Sequence, residues 1–219
     1  MSNLSWRHLI LLGAFLTLAS VMPLGAKSII APSNIEQRLR DGEVVVGLRE
    51  TGGTKYVTGS VLIDAPPDKV WPIMVNPFEF RRHISPRMKE VEVMKDQSTS
   101  SILRVTLDVI LIPHFTYVVE STYENGARVD FKRIGGILKD FRGSWQMCPT
   151  DGGTQTQLTY CMYIDPGFPV PQWIIREGVK GELPRTLIGL RNKVNAVLAH
   201  TECMEKRTIL AATLINHKQ

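Results

Sequence analysis

Residues able to do chemistry are sparse in this chain. The five histidines, His8, His83, His114, His200 and His217, stand apart from one another. None forms H-E-x-x-H or another pair at metal-ligand spacing, so the sequence implies no metal. His83 follows Arg81 and Arg82, a group that could meet an anionic head group but reads more simply as a solvent-facing helix position. His114, after Pro113, falls where a strand-connecting loop is expected, with an entrance role as the sharper alternative. Ser144 sits between Gly143 and Trp145 without the G-x-S-x-G elbow that would expose a nucleophile. The glycine pairs at 52–53, 135–136 and 152–153 match neither G-x-G-x-x-G nor a P-loop, so they read as turn or bulge material and no nucleotide cofactor is implied. Asp108, Glu120 and Glu124 fall on strand faces expected to be wet, which argues against a paired acid and base. No catalytic residue is assigned.

The three cysteines are Cys148, Cys161 and Cys203, too few for a disulfide scaffold. If a turn at 151–153 closes a hairpin, Cys148 faces a residue near 155 and Cys161 lies about six positions on. At ~3.3 Å per residue that is roughly 20 Å, beyond the ~7 Å a disulfide spans. Free thiols are expected, or at most a bond between molecules.

The elements that must position a site follow from changes in apolar period. Ser33 to Gly42 reads as a short helix capped by Ser33 or Asn34 and stopped by Gly42. Val44–Glu50 and Tyr56–Asp64 are β-rich and joined by Thr51-Gly52-Gly53-Thr54, hence a hairpin. Ala65-Pro66-Pro67-Asp68 stops the strand and opens a helix, since proline is tolerated in a first turn and an acid suits its positive end. That helix carries Val70, Trp71 and Met74 and ends by Asn76-Pro77; a second helical stretch, Phe78–Ile84, follows. From Met88 the period is two, with Leu103, Val105, Leu107 and Val109 alternating with polar residues. Pro113-His114 interrupts, and Phe115–Glu124 resumes. Asn125-Gly126 signals a hairpin. A three-residue loop, Asn125–Ala127, pairs Glu124 with Arg128, Tyr123 with Val129, Ser121 with Phe131 and Glu120 with Lys132. A two-residue loop would set Glu120 against Phe131, so the longer loop is preferred. Phe141, Gly143, Trp145 and Met147 form the next apolar face, and Leu158, Tyr160, Met162 and Ile164 return it. Asp165–Pro171 ends strand structure. Trp173–Lys180 is helical, Gly181–Pro184 marks a bend or restart, and Leu183, Leu187, Leu190, Val194, Val197 and Leu198 share one side of a longer helix to about His200. The tail from Thr201 is expected to continue the helix or fray. Two strands, two helices, about five more strands and a terminal helix make an α+β chain with a curved antiparallel sheet.

The N-terminus reads separately. Leu9–Val21 is an apolar run within the ~7–15 residues of a signal-peptide core and short of the roughly 18 that span a bilayer. Residues 1–26 are therefore expected to be a signal peptide, with retention as an anchor by residues 9–22 as the alternative, and export to the periplasm or beyond in either case. Residues 27–43 would be an N-terminal helical segment, 44–200 the main folded domain and 201–219 a tail. The 219 residues carry a formal charge of only +5, and the cations are scattered rather than striped, which excludes a nucleic-acid footprint. Mild attraction to an anionic lipid surface is compatible with it.

Three stretches, SVLIDAPPDKVWPIMV at 60–75, FRGSWQMCPTDGGTQTQLTYCM at 141–162 and PGFPVPQWIIREGVKGELPRTLIGL at 166–190, resemble the START-like (SRPBCC) superfamily, and within it the polyketide cyclase/dehydrase and coenzyme Q-binding branch. The resemblance covers roughly residues 44–200. It implies a helix-grip fold: a seven-stranded sheet wrapped round the C-terminal helix, with a hydrophobic cavity between them. Members carry lipids, sterols or quinones, or fold polyketide chains, so fold alone does not fix function.

The candidate ligand-binding residues are Leu103, Val105, Leu107, Phe131, Arg133, Phe141, Trp145, Met147, Tyr160, Met162, Leu183 and Leu187. Tyr160 would offer its hydroxyl to a ligand carbonyl, and Arg133, opposite Val119, would orient a polar head. Phe168, Val170 and Trp173 are candidates for a gate or a membrane-touching rim, because Trp and Phe suit a lipid–water boundary. The expected function is binding of a lipid, sterol or isoprenoid quinone outside the cytoplasm, driven by apolar burial at ~25 cal/mol per Å². An aromatase/cyclase-like enzyme and an interaction module with a filled core are the competing classes. Nothing in the sequence sets an oligomeric state.

Overall fold

The computed structural model describes residues 34–85, 87–109 and 112–216, all within the unit that spans 32–219. The expected leader over residues 1–26, the Ser33 cap and residues 217–219 lie outside the described residues.

Helix α1 (Asn34–Arg40) ends where Gly42, at φ +84°, sends its N–H back to the Leu39 carbonyl at 3.0 Å. Strands β1 (Val45–Thr51) and β2 (Thr54–Ile63) form the expected hairpin, turned by Gly52 and Gly53. Helix α2 (Pro67–Met74) buries Val70, Ile73 and Met74. The Asn76 side chain then accepts the Phe78 N–H at 3.0 Å, capping the short α3 (Pro77–Glu79), which runs on into a π-helical turn over Phe80–Ile84. Such turns recur at functional positions because the extra residue re-aims a side chain. Here it carries Phe80.

Six strands follow: β3 (Met88–Gln97), β4 (Ser100–Val109), β5 (Ile112–Glu124), β6 (Arg128–Gly136), β7 (Asp140–Thr150) and β8 (Gln155–Asp165). With β1 and β2 they make one eight-stranded antiparallel sheet, ordered β1-β2-β8-β7-β6-β5-β4-β3. The seven strands implied by the resemblance are thus one too few. The uncounted strand is among β3 and β4, where β3 lies at the sheet edge with almost every side chain exposed. The register of β5 and β6 is the expected one: Glu124 faces Arg128, Tyr123 faces Val129, and Glu120 meets Lys132 in a 3.1 Å ion pair. Pro113 and His114 do not form a loop. Leu107 pairs with Phe115 and Val109 with Ile112, so these two residues bulge opposite one on β4, a place where proline owes the ladder no N–H.

The terminal helix α4 runs from Gln172 to Asn216, 45 residues, or about 68 Å at 1.5 Å per residue. It passes through Gly181–Pro184 without a restart and continues past His200. Leu183 and Leu187, on either side of Pro184, are buried in the core and hold the helix in register across the missing N–H. Its buried row of Leu183, Leu187, Leu190 and Val194 packs on β2. Contact is close because position 59 is glycine: a Cβ there would lie 2.8 Å from Leu187 Cδ1. Residues 201–210 of α4 are exposed throughout. Among the described residues no helix is long and apolar enough to cross a membrane.

Candidate functional site

Alternation sends Phe115, Tyr117, Val119, Ser121 and Tyr123 of β5 to the inner face of the sheet, with Val129 and Phe131 of β6 and Phe141 and Trp145 of β7 beside them. Facing them is the segment Met74–Phe80, which crosses from α2 into the π turn. Between the two lies a cavity of ≈ 140 Å³.

Its wall is aromatic for a traceable reason. Trp145 and Tyr160 are direct cross-strand partners, and their rings stack at 3.7 Å and 9°. Phe131 can reach this stack because its own partner is Gly143, where a Cβ would come within 2.7 Å of the Phe131 ring. The wall then continues from Tyr160 to Phe131 (5.8 Å), Phe131 to Phe141 (5.0 Å) and Phe141 to Tyr117 (5.1 Å). From the opposite side Phe80 sets its edge against Trp145 at 5.7 Å.

Six of the expected site residues line this cavity: Leu103, Val105, Phe131, Phe141, Trp145 and Tyr160. The other six are elsewhere. Leu107 packs partly buried beside Phe115. Met147 is buried opposite Leu158, beyond the cavity floor. Met162 turns toward the start of α4 near Val179. Leu183 and Leu187 grip β2 around Gly59, so the wall facing the sheet comes from Met74–Phe80 rather than from α4. Arg133 does oppose Val119, yet its guanidinium turns back to donate to the Gly136 carbonyl at 2.8 Å and does not line the cavity. Phe168, Val170 and Trp173, on the β8–α4 connection and the first turn of α4, are also apart from its walls; Phe168 and Trp173 are 40% and 61% exposed.

Residues that sequence reasoning missed fall into two groups. Tyr117, Val119, Ser121, Tyr123 and Val129 follow from the same alternation, and Tyr123 and Val129 were already paired by the hairpin register. Met74, Val75, Pro77 and Phe80, with Met88 and Val91, come from segments that only the tertiary fold brings over the sheet.

The polar content of the site is small and hydroxylic. Tyr123 donates to Ser101 Oγ at 2.5 Å. Tyr117 and Tyr160 are 7% and 9% exposed, and burial pushes both phenols above their ordinary range, Tyr160 further still through its neighbour Tyr117. Both stay protonated and act as donors. No histidine, carboxylate, lysine or arginine is among the described residues of the lining, and no group of three metal-ligating side chains occurs among the described residues.

The other chemistry singled out in the sequence lies outside the cavity. His83 Nδ1 meets Glu79 at 2.8 Å, and Glu79 meets Lys193 at 2.9 Å. Cys148 faces Gln157 rather than a residue near 155, which leaves Cys161 four positions on; both thiols, and Cys203, are free. Cys161 is on the opposite face of β8 from Tyr160, where Arg49 donates to its sulfur at 3.2 Å and burial pushes the thiol up.

This architecture recurs in solved structures. A STAR-related lipid transfer protein from Xanthomonas axonopodis is 22% identical, with TM-score 0.58, over 70% of this chain and 98% of that one. The Zhui aromatase/cyclase of a Streptomyces species is 16% identical, with TM-score 0.57, over 68% and 94%. Human StAR-related lipid transfer protein 5 is 17% identical, with TM-score 0.54, over 72% and 84%. At these identities the likeness is one of fold. No curated protein matches the chain in sequence. The model of one family, described as polyketide cyclase / dehydrase and lipid transport, matches residues 55–195, nearly the whole sheet and the buried part of α4, and the chain therefore belongs to the polyketide cyclase / dehydrase and lipid transport family.

Proposed function

We propose that the protein binds a hydrophobic small molecule in the cavity between the sheet and the Met74–Phe80 segment, and carries it rather than transforming it. The observation that carries this reading is an aromatic and aliphatic hollow with no general base among the described residues of its lining. The family spans hydrophobic-ligand binding and polyketide-cyclase roles. A cyclase needs a positioned group able to take up a proton near neutral pH, and two phenols held protonated by burial do not supply one.

Size narrows the mode of binding. Drug-sized ligands occupy about 300–1,000 Å³, whereas an apolar void of about 150 Å³ accepts a benzene ring. A cavity of ≈ 140 Å³ therefore takes one ring-sized portion of a ligand, and a bulkier lipid must displace Phe80 and the π turn that carries it. Phe168 and Trp173 suit transient contact with a lipid surface during loading, and the apolar run Leu9–Val21 supports delivery outside the cytoplasm.

Solvent extraction and mass spectrometry of the purified protein test the proposal. A co-purifying hydrophobic compound, lost on Phe131→Ala or Trp145→Ala with the fold retained, is the expected result. Turnover of an added polyketide-like substrate, or an interior that takes up no apolar ligand, would overturn it.

A further inference from the structure

The wall of the cavity that faces the sheet is fastened to α4 unevenly. After α2 the chain meets one side of α4 at Lys193, Gly189 and Glu182, which stand one turn and then two turns apart along the helix. The contacts at Gly189 and Glu182 are firm. Ile84 is 1% exposed, and a Cβ at position 189 would come within 2.9 Å of its carbonyl oxygen. Arg87 pairs with Glu182 at 2.8 Å, and Arg81 Nε donates to the Lys89 carbonyl at 2.6 Å, tying the turn to β3 as well. The contact at Lys193 is of another kind. Its Nζ meets Glu79 Oε2 at 2.9 Å, and His83 Nδ1, from the fixed part of the turn, lies 2.8 Å from the same oxygen. The Lys193 and Glu79 side chains are 20% and 26% exposed, so water competes for the pair. Phe80, the residue after Glu79, lines the cavity with its edge on Trp145. The piece that covers the hollow is thus held down by charge, and the piece that follows it by packing.

Resting on the proposed function, we infer that Pro77–Phe80 is the lid of the cavity and that Lys193 latches it through Glu79. When the ion pair parts, the lid swings about the Ile84–Gly189 contact, Phe80 leaves Trp145, and a ligand larger than one ring enters. A part-exposed ion pair suits this task. Once parted, both charges are met by water rather than left bare, whereas parting a buried pair leaves uncompensated charge in the interior. The π turn supplies slack at the pivot, where the Ser85 N–H reaches back to the Phe80 carbonyl at 2.7 Å across one residue more than an α-helical turn holds. Neither Lys193 nor Glu79 lines the cavity, so they act on entry and not by touching the ligand.

The test uses the full chain and N-phenyl-1-naphthylamine, a neutral fluorophore whose naphthyl and phenyl rings together exceed the closed cavity of ≈ 140 Å³. Stopped-flow fluorescence follows its uptake. Lys193→Met and Glu79→Met keep the bulk of each side chain and remove the charge, and each should take up the probe about fivefold faster than the wild type, the value of a part-exposed ion pair. The double variant should be no faster than Glu79→Met alone, since both changes break the same bond. Arg87→Met breaks the ion pair at the fixed end, so it should weaken the fold in urea and leave the uptake rate unchanged. Unchanged uptake in Lys193→Met and Glu79→Met, with the probe still bound at equilibrium, would overturn the latch while leaving a hydrophobic binder intact. Equal acceleration by Arg87→Met would also overturn it, by revealing general loosening rather than release of a lid. Failure of the probe to bind the wild type and the variants alike would overturn the binding site on which the latch rests.

Discussion

The grip of α4 on the sheet depends on one pair of positions, Gly59 and Leu187, and the two substitutions that disturb it should interact with a change of sign. Leu187 is fully buried, and its Cδ1 occupies the space a Cβ on residue 59 would need, 2.8 Å away. Leu187→Ala removes the filling atoms and should cost about 2–5 kcal/mol. Gly59→Ala in the wild type overpacks a place where the leucine cannot move aside, and should cost about 1–3 kcal/mol. In the Leu187→Ala background the clashing methyl is gone, so the same Gly59→Ala change meets only Leu183, at an ordinary contact distance of 3.6 Å, and fills part of the void. There it should be neutral or stabilising. The coupling expected for such a contacting pair is about 0.5–3 kcal/mol. For a chain of this size each kcal/mol moves Tm by about 2–4 °C, so the single leucine change alone should lower Tm by several degrees. Urea denaturation of the wild type, both single variants and the double variant measures the cycle. Additive losses would refute the argument, because they would mean that the helix relaxes away from β2 rather than being held by this contact.

Gly143→Ala should behave differently: its added Cβ would lie 2.0 Å from the Cys161 carbonyl oxygen as well as 2.7 Å from the Phe131 ring. The clash is with backbone, so trimming Phe131 to alanine should fail to rescue the loss of stability seen by circular dichroism. Cysteine labelling with a maleimide should modify Cys148 and Cys203 in the native protein and Cys161 only on unfolding, as read by peptide mass spectrometry, since Cys161 alone is buried. Glu182 is held below the usual glutamate range by its hydrogen bond to Arg87, and Glu79 by its bond to Lys193. Lowered carboxylate pKa values stabilise the fold above the unfolded glutamate pKa of about 4.3 and lose that effect as pH falls through the folded values. The Glu79→Gln/Glu182→Gln variant should therefore be less stable than wild type to urea at pH 7, by no more than about 1 kcal/mol per pair, and the two should converge in acid.

Much of the fold was legible because it is written in local pattern. The β5–β6 register followed from two constraints, a glycine-containing turn and the need to keep Phe131 and Val129 on one face. The glycine pair at 52–53 and the proline-led start of α2 were equally local. What misled were residues whose usual meaning the tertiary context reversed. Pro113-His114 reads as a break, yet a bulge absorbs it. Gly181–Pro184 reads as a bend or restart, yet leucines anchored in the core on both sides carry the helix through. The edge strand β3 is hard to delimit because only Met88 and Val91 turn toward the core while its other side chains are exposed.

The cavity divides along the same line. Period-two alternation assigned Leu103, Val105, Phe131, Phe141, Trp145 and Tyr160 to the inner face, because in a strand the side a residue faces is fixed by its neighbours along the chain. Whether an inward residue meets a hollow or a packed neighbour is a different matter: Met147 alternates just as well and ends in solid core. The opposing wall of Met74, Val75, Pro77 and Phe80, and the presence of Tyr117 and Tyr160 on one cavity lining across two intervening strands, depend on distances between segments remote in sequence. Those distances are set by how the sheet bends and where the helices settle on it, which no single stretch of residues encodes.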